Sequence, residues 1–208
     1  MYIGEMENNI KAIIFDWGGV LMEEPTQRIL AYLARKFDVD LEALRKRLEP
    51  HLDRMQSGDG VEDRVWRMIG RKLNYEVSEL KAIWLEALEK TYLPYPEVID
   101  LVKRLKTEYK TGLLSNLEDA GIEVIKKQGL EENFDEIVYS CKVGFIKPDE
   151  KVYQIILKRL GVRPEEAVFI DDKKVNIDGA EKVGMKGLLF LNYQKLVQDL
   201  KLLGVKTE

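Results

Sequence analysis

The sequence has little of the chemistry that disulfides and zinc-type metal sites require. Its 208 residues include one cysteine, Cys141, and one histidine, His51. A single cysteine cannot form an internal disulfide, and no cluster of cysteines and histidines has the spacing of a metal site. These absences suit a reducing compartment, so we expect the protein to be cytoplasmic.

The sequence also lacks an excess of positive charge and any long apolar run. Lysine and arginine number 33 against 37 aspartates and glutamates, which gives a net charge of -4 at pH 7. Without a basic patch, neither nucleic acid nor an anionic membrane is an expected partner. The acidic stretch 1–7 resembles neither a signal peptide nor a membrane span. We therefore expect a soluble protein.

Five short apolar runs are typical of strands that are buried on both faces, because they lack period-two alternation. They occupy residues 12–15, 112–114, 137–139, 167–170 and 187–191. Between them, apolar residues recur with helical spacing, as at Val98, Leu101, Val102 and Leu105. Strands that alternate with helices predict an α/β fold with a doubly wound parallel sheet.

Residues 21–93 break this alternation, because their apolar residues show only helical spacing. The first strand precedes this segment and the helix near Pro96 follows it, so the segment is an insertion into the sheet domain. We expect an all-helical domain at 21–93 and a catalytic core formed by 1–20 and 94–208. An insertion directly after the first strand would cover any site at that strand's end.

Distinctive polar residues follow four of the predicted strands. They are Asp16, then Ser115 with Asn116, then Lys147, and finally Asp171 with Asp172. Parallel strands place their carboxyl ends at one edge of the sheet, where open α/β sheets bind ligands. We therefore expect these side chains to converge, with the glycine turn Trp17-Gly18-Gly19 allowing close approach of a ligand to the backbone.

Such a set of groups suits phosphoryl transfer, which depends mainly on positioning and electrostatic stabilisation. Asp16 would attack phosphorus and form an aspartyl phosphate. Mg²⁺ bound by Asp16 and Asp172 would offset the repulsion between carboxylate and phosphate. Ser115 and Asn116 would donate to phosphate oxygens, while Lys147 would neutralise their charge.

Several motifs together resemble the haloacid dehalogenase superfamily: Phe-Asp-x-Gly-Gly-Val-Leu, Leu-Leu-Ser-Asn, Lys-Pro-Asp and Phe-Ile-Asp-Asp. The resemblance implies a Rossmann-like core and, in the helical insert, the cap of the subfamily that includes sugar-phosphate phosphatases and the phosphatase domain of soluble epoxide hydrolase. It implies a Mg²⁺ ligand set of Asp16, the Gly18 carbonyl and Asp172, with Asp171 as a ligand or a supporting residue. Apart from the resemblance, the position of Trp17 next to Asp16 suits either a pocket wall or the core.

The sequence departs from the family pattern at Gly18, where phosphatases of the family usually carry an aspartate that protonates the leaving oxygen. General acid catalysis is commonly worth about 10² to 10⁴ in rate. A carboxylate of the insert, Glu23, Glu24 or Asp59, could substitute. Alternatively, the substrate could have a good leaving group, or the reaction could be something other than phosphate hydrolysis.

The motifs therefore predict a Mg²⁺-dependent phosphatase of a small phosphorylated metabolite, acting as a monomer or small homo-oligomer. Two alternatives remain open. One is a 2-haloacid dehalogenase in which Asp16 attacks carbon, because halide needs no proton; the relatives of that type carry an aromatic residue where Gly18 stands and need no metal. The other is a catalytically silent phosphate-binding regulatory module.

Overall fold

A computed structural model of the chain describes residues 9–57 and 61–208. Five parallel strands form one sheet in the order β3-β2-β1-β4-β5. The strands are β1 (Ala12–Phe15), β2 (Lys110–Ser115), β3 (Glu136–Tyr139), β4 (Ala167–Asp171) and β5 (Lys186–Leu189). The predicted doubly wound parallel sheet is confirmed, and β1 lies at its centre.

The two faces of the sheet pack into different apolar clusters, because successive side chains of a strand point to opposite faces. Ile13 and Phe15 of β1 belong to one cluster, whereas Ala12 and Ile14 belong to the other. All four are completely buried. Burial on both faces explains why the strand sequences are continuous apolar runs.

Ten α-helices accompany the strands in the described residues. They are α1 (Thr26–Phe37), α2 (Leu41–Met55), α3 (Val61–Leu73), α4 (Val77–Thr91), α5 (Pro96–Leu105), α6 (Asp119–Lys127), α7 (Ser140–Val143), α8 (Glu150–Leu160), α9 (Lys174–Lys182) and α10 (Tyr193–Leu202). Helix α8 ends at Gly161, whose φ of 64° is the left-handed conformation that glycine adopts easily. None of the described helices has the length and apolarity needed to span a membrane.

Helices α1 to α4 follow one another between β1 and α5, with no strand among their described residues. The segments that lead into and out of them pair with each other: Glu23 N–H donates to Leu93 O at 2.9 Å, and Tyr95 N–H donates to Leu21 O at 2.9 Å. The chain therefore leaves and re-enters the sheet domain at adjacent points, which places the helical insert beside the end of β1.

Strands β2 to β5 begin or end one or two residues away from their predicted bounds, and the end of β5 has a clear physical reason. The fifth apolar run extends to Leu191, but β5 ends at Leu189 and Leu191 is 65% exposed. The chain turns there because Asn192 caps α10, accepting a hydrogen bond from Lys195 N–H at 2.9 Å. An apolar residue at a helix entrance is indistinguishable in sequence from one more strand residue.

Candidate active site

Asp16 stands directly after β1 and accepts hydrogen bonds from three donors through one oxygen. Its Oδ1 lies 2.7 Å from Trp17 N, 2.7 Å from Ser115 Oγ and 2.9 Å from Lys147 Nζ. Among the described residues, none donates to Oδ2. Three donors fix the carboxylate in one orientation and leave its second oxygen available to a ligand.

Lys147 is a buried cation between two carboxylates. Its Nζ lies 2.9 Å from Asp16 Oδ1 and 2.7 Å from Asp171 Oδ2, and it donates to Leu114 O at 3.1 Å. Burial alone would lower the pKa of Lys147, but the charges of Asp16 and Asp171 outweigh burial and raise the pKa. The ammonium therefore stays charged, as a buried lysine does when it is paired and hydrogen-bonded.

Asn116 fixes the backbone of Lys147 from the adjacent strand end. Its Oδ1 accepts from Lys147 N–H at 2.8 Å, and its Nδ2 donates to Lys147 O at 3.1 Å. Both ends of the amide are thus used to position Lys147. The backbone N–H groups of Asn116 and Gly18 have no hydrogen-bond partner in the described chain, and both residues line the central cavity.

Asp171 and Asp172 differ sharply although they are neighbours. Asp171 is completely buried and accepts from Lys147 Nζ at 2.7 Å, Lys173 N–H at 2.8 Å and Asn176 Nδ2 at 3.0 Å. Burial, followed by the charge of Asp16, raises the pKa of Asp171 against the opposing effect of Lys147. Its hydrogen-bonding capacity is largely used within the protein.

Asp172, in contrast, has a buried oxygen without a partner. Its Oδ1 is out of contact with solvent and makes no hydrogen bond to any described residue. Burial, followed by the negative charges of Asp16 and Asp171, raises the pKa of Asp172 to about 6. An unpartnered buried carboxylate oxygen is costly, and a cation at this position would relieve it.

The three carboxylates fit a hard divalent cation. Ligand atoms of Asp16, Asp171 and Asp172 lie within 4.8 Å of one another. Oxygen-only donor sets favour Mg²⁺ or Ca²⁺ over softer metals. Gly19 contributes by lacking a side chain: a Cβ there would lie 2.3 Å from Asp172 Oδ2, and its φ is 81°. Only glycine permits the Asp172 carboxylate to come this close to the turn.

A cavity of about 530 Å³ opens beside Asp16, between the sheet edge and the helical insert. Its volume lies within the usual range for small-molecule sites. From the core it is lined by Asp16, Trp17, Gly18, Ser115, Asn116, Leu117, Glu118, Ile146, Lys147, Pro148, Lys173, Val175 and Asn176. From the insert and its leading segment it is lined by Glu24, Pro25, Thr26, Ile29, Leu30, Glu49, Leu52, Met55, Gln56, Trp84 and Leu88.

Trp17 is almost completely buried and lines the cavity beside Asp16. Its ring stacks on Tyr92 with centroids 6.4 Å apart, and its Nε1 has no hydrogen-bond partner among the described residues. Trp17 therefore packs against the segment that returns from the insert while it forms part of the cavity wall.

Two cavity hydrogen bonds that the sequence does not predict join the insert to the core. Trp84 Nε1 of α4 donates to Glu118 Oε1 at 2.7 Å, and Ser140 Oγ donates to Gln56 O at 2.6 Å. Trp84 has the helical spacing of an ordinary core residue, and Glu118 lies only two residues beyond the Ser115-Asn116 pair. No local pattern distinguishes either residue as part of a site.

The surroundings of Gly18 bear on the missing acid. A Cβ at Gly18 would lie 3.7 Å from Pro25 Cδ, so Gly18 is close to the segment that carries Glu24. Glu24 lines the cavity and accepts from Thr26 Oγ1 at 2.6 Å. Glu23 instead pairs with Arg28. Asp59 lies outside the described residues.

A sequence model of the haloacid dehalogenase-like hydrolases matches residues 10–184. The chain belongs to this family. The match spans the sheet domain through α9 and includes all the strand-end residues described above, so the resemblance seen in the motifs is confirmed.

Curated relatives include phosphatases. A phosphorylated carbohydrates phosphatase from Thermotoga maritima is 27% identical over 191 residues, which cover 85% of this chain and 83% of the relative. The bifunctional epoxide hydrolase 2 of Sus scrofa is 29% identical over 133 residues, which are 61% of this chain. The matched region is only 24% of that longer protein.

Solved structures of the family share the fold. An enzyme of the haloacid dehalogenase family from Bacteroides thetaiotaomicron, crystallised with magnesium and inorganic phosphate, superposes with a TM-score of 0.74 at 19% identity and covers 90% of this chain and 98% of its own. A phosphatase of the family from Thermococcus onnurineus has a TM-score of 0.68 at 24% identity and covers 96% of this chain and 100% of its own.

Proposed function

We propose that this hydrolase is a Mg²⁺-dependent phosphomonoesterase that acts on a small phosphorylated metabolite, with Asp16 as its nucleophile. The observation that carries the proposal is the unequal bonding of the Asp16 carboxylate. Oδ1 accepts from three donors, whereas Oδ2 accepts from none of the described residues and Asp16 lines the cavity. One oxygen is anchored while the other can attack.

The side chains of Asp16 and Asp172, with the Gly18 carbonyl, would hold the ion. Asp171 would support the site through its hydrogen bonds to Lys147 and Asn176 rather than serve as a principal ligand. When bound, Mg²⁺ offsets the negative charge on phosphate oxygens and on the attacking carboxylate. The unpartnered Oδ1 of Asp172 is the feature of this chain that supports this ligand set.

In the first step, Oδ2 of Asp16 attacks phosphorus and the bond from phosphorus to the leaving alcohol oxygen breaks. The Lys147 ammonium and the N–H groups of Gly18 and Asn116 would face the phosphoryl oxygens and stabilise their charge. In the second step, water attacks the phosphorus of the aspartyl phosphate. Inorganic phosphate leaves and the Asp16 carboxylate is restored.

The leaving alcohol oxygen needs a proton, and Glu24 is the described residue best placed to donate it. Of Glu23 and Glu24, only Glu24 lines the cavity, and it adjoins Pro25, whose Cδ would lie 3.7 Å from a Cβ at Gly18. Helices α1 to α4 would act as a cap that closes over the substrate and excludes water during phosphoryl transfer.

A 2-haloacid dehalogenase is the second candidate, favoured by the absence of an acid at Gly18, since a halide leaves unprotonated. The chain superposes with a TM-score of 0.67, at 20% identity, on an L-2-haloacid dehalogenase from Xanthobacter autotrophicus with chloropropionic acid covalently bound, covering 95% of this chain and 84% of its own. That likeness concerns the fold alone. The partnerless oxygen of Asp172 argues for a cation and therefore for the phosphatase.

The test is a screen of purified protein against phosphate esters, acyl phosphates and 2-chloropropionate, with Mg²⁺ or with EDTA. We expect Mg²⁺-dependent phosphate release that Asp16→Asn abolishes. Halide release in EDTA would instead support the dehalogenase. A protein that binds phosphate without turnover, and whose biological role Asp16→Asn leaves unchanged, would support a silent binding module.

A further inference from the structure

The cavity has a charge pattern that bears on substrate choice. Both cations that line it, Lys147 and Lys173, belong to the core end, where the phosphate would bind. The wall formed by α2 and α4, together with Glu118 of the core, which accepts a hydrogen bond from α4, is here called the remote wall. Its residues are Glu49, Leu52, Met55, Trp84, Leu88 and Glu118.

Glu118 is a buried carboxylate of this wall. It is 4% exposed, and Trp84 Nε1 donates to its Oε1 at 2.7 Å. An ionised carboxylate offers about four acceptor positions and no donor. Carboxylates accept hydrogen bonds from hydroxyl or amino groups and repel a second anionic group, so Glu118 gives this wall an acidic character.

Glu49 adds negative charge to the same wall. Among the described residues it forms an ion pair with Arg45, at 3.7 Å between Oε1 and Nε, and Glu42 shares that guanidinium at the same distance. Two carboxylates around one guanidinium leave a net negative charge. Arg45 itself does not line the cavity.

We propose that the cavity selects phosphate monoesters whose remote end carries hydroxyl or amino groups and no second negative charge. The inference rests on the proposed phosphatase function and adds a substrate class to it. A carboxylate or second phosphate on the substrate would lose its water among Leu52, Met55 and Leu88, next to Glu118 and Glu49. It would meet no cation from the described part of the remote wall, and burial of an unpaired charge is strongly unfavourable.

Two esters that differ only at the remote end test the proposal. Glycerol 3-phosphate ends in a hydroxymethyl group, whereas 3-phosphoglycerate ends in a carboxylate at the same position. We expect kcat/KM with Mg²⁺ to be at least about tenfold higher for glycerol 3-phosphate, because like charges brought together in a binding site cost well over a factor of ten.

Variants assign the preference to the remote wall. Glu118→Gln retains an acceptor for Trp84 and removes the charge, and Glu49→Lys reverses a charge on the cap. Each should narrow the ratio of the two kcat/KM values at least about threefold. Glu89→Lys is the matched control, because Glu89 lies on α4 of the same cap and pairs with Lys127 but does not line the cavity. It should leave the ratio unchanged.

Equal kcat/KM values for the two esters, or a ratio that neither variant alters, would overturn the inference while leaving the phosphatase intact. The absence of turnover for every phosphate ester would instead refute the proposed function. In that case the preference is judged by calorimetric binding of the two esters to Asp16→Asn with Mg²⁺, where equal affinities would refute the charge selection as well.

Discussion

Lys147→Met tests whether the buried ammonium holds the two carboxylates together. In the folded protein Nζ lies 2.9 Å from Asp16 Oδ1 and 2.7 Å from Asp171 Oδ2, with the lysine side chain 1% exposed. Methionine fills a similar space but leaves both carboxylates without their cation. Removing one partner of a buried ion pair typically destabilises a protein by about 3 to 5 kcal/mol.

The loss is measurable by thermal unfolding in EDTA. For a domain of this size, each kcal/mol corresponds to roughly 2 to 4 °C in Tm, so we expect Tm to fall by about 6 to 20 °C. The double variant Asp16→Asn/Lys147→Met should recover part of that loss, because one of the two uncompensated charges is gone.

Either of two outcomes would refute this reasoning. If Lys147→Met is as stable as the unmodified protein, the ammonium does not hold the carboxylates. If the loss of Tm in the double variant equals the sum of the losses in Asp16→Asn and Lys147→Met, the two side chains are not coupled. In either case the network around Oδ1 of Asp16 needs another explanation, and the role of Lys147 would be confined to ligand binding.

Three further changes test other parts of the site and fold. Asn116→Ala removes both side-chain hydrogen bonds to the Lys147 backbone, so kcat should fall about 10- to 100-fold, as misplacement of a catalytic group typically causes. Glu24→Gln should lower kcat about 10²-fold for alkyl phosphates and much less for p-nitrophenyl phosphate, whose leaving group needs no acid. Glu166→Gln should destabilise the protein at neutral pH, because Lys11, then Arg163, hold the pKa of Glu166 at about 2.

Each of these has a discriminating control. Asn116→Asp keeps an acceptor for Lys147 N–H and should retain more activity than Asn116→Ala. Glu23→Gln, outside the cavity, should not change the dependence of rate on the leaving group. Because the pKa of Glu166 is lowered on folding, its stabilisation is present above about 4.5 and is lost as pH falls toward about 2. The Glu166→Gln difference in urea unfolding should shrink over that window, and a constant difference would contradict the ion-pair explanation.

The fold could be predicted from sequence because the same pattern, an apolar strand followed by a segment of helical spacing, recurs along the chain. Five apolar runs separated by helical spacing leave few topologies, and β1 is buried on both faces as its sequence indicates. The end of β5 could not be predicted, because Leu191 is apolar yet exposed beside the α10 cap. Such ends are decided by local capping rather than by hydrophobicity.

The residue types of the candidate site could be predicted from the sequence, but many of the hydrogen bonds among them could not. Strand ends bring Asp16, Ser115 and Lys147 together wherever the sheet is parallel, and the structure has them within hydrogen-bond distance. The cavity wall is different. Glu118 is joined to Trp84, on a helix 34 residues earlier, by a hydrogen bond, and no local spacing encodes a contact between the helical insert and the core.

The adjacent aspartates show what sequence leaves undecided and structure can resolve. In the sequence alone, Asp171 and Asp172 are equivalent candidates for a metal ligand. In the folded chain Asp171 receives hydrogen bonds from Lys147, Lys173 and Asn176, whereas Oδ1 of Asp172 receives none from the described residues. A cation would bind most favourably to Oδ1 of Asp172, because that oxygen has no competing hydrogen bond from a described residue. Loss of Asp172 should therefore weaken Mg²⁺ binding directly, whereas loss of Asp171 should act first through the position of Lys147.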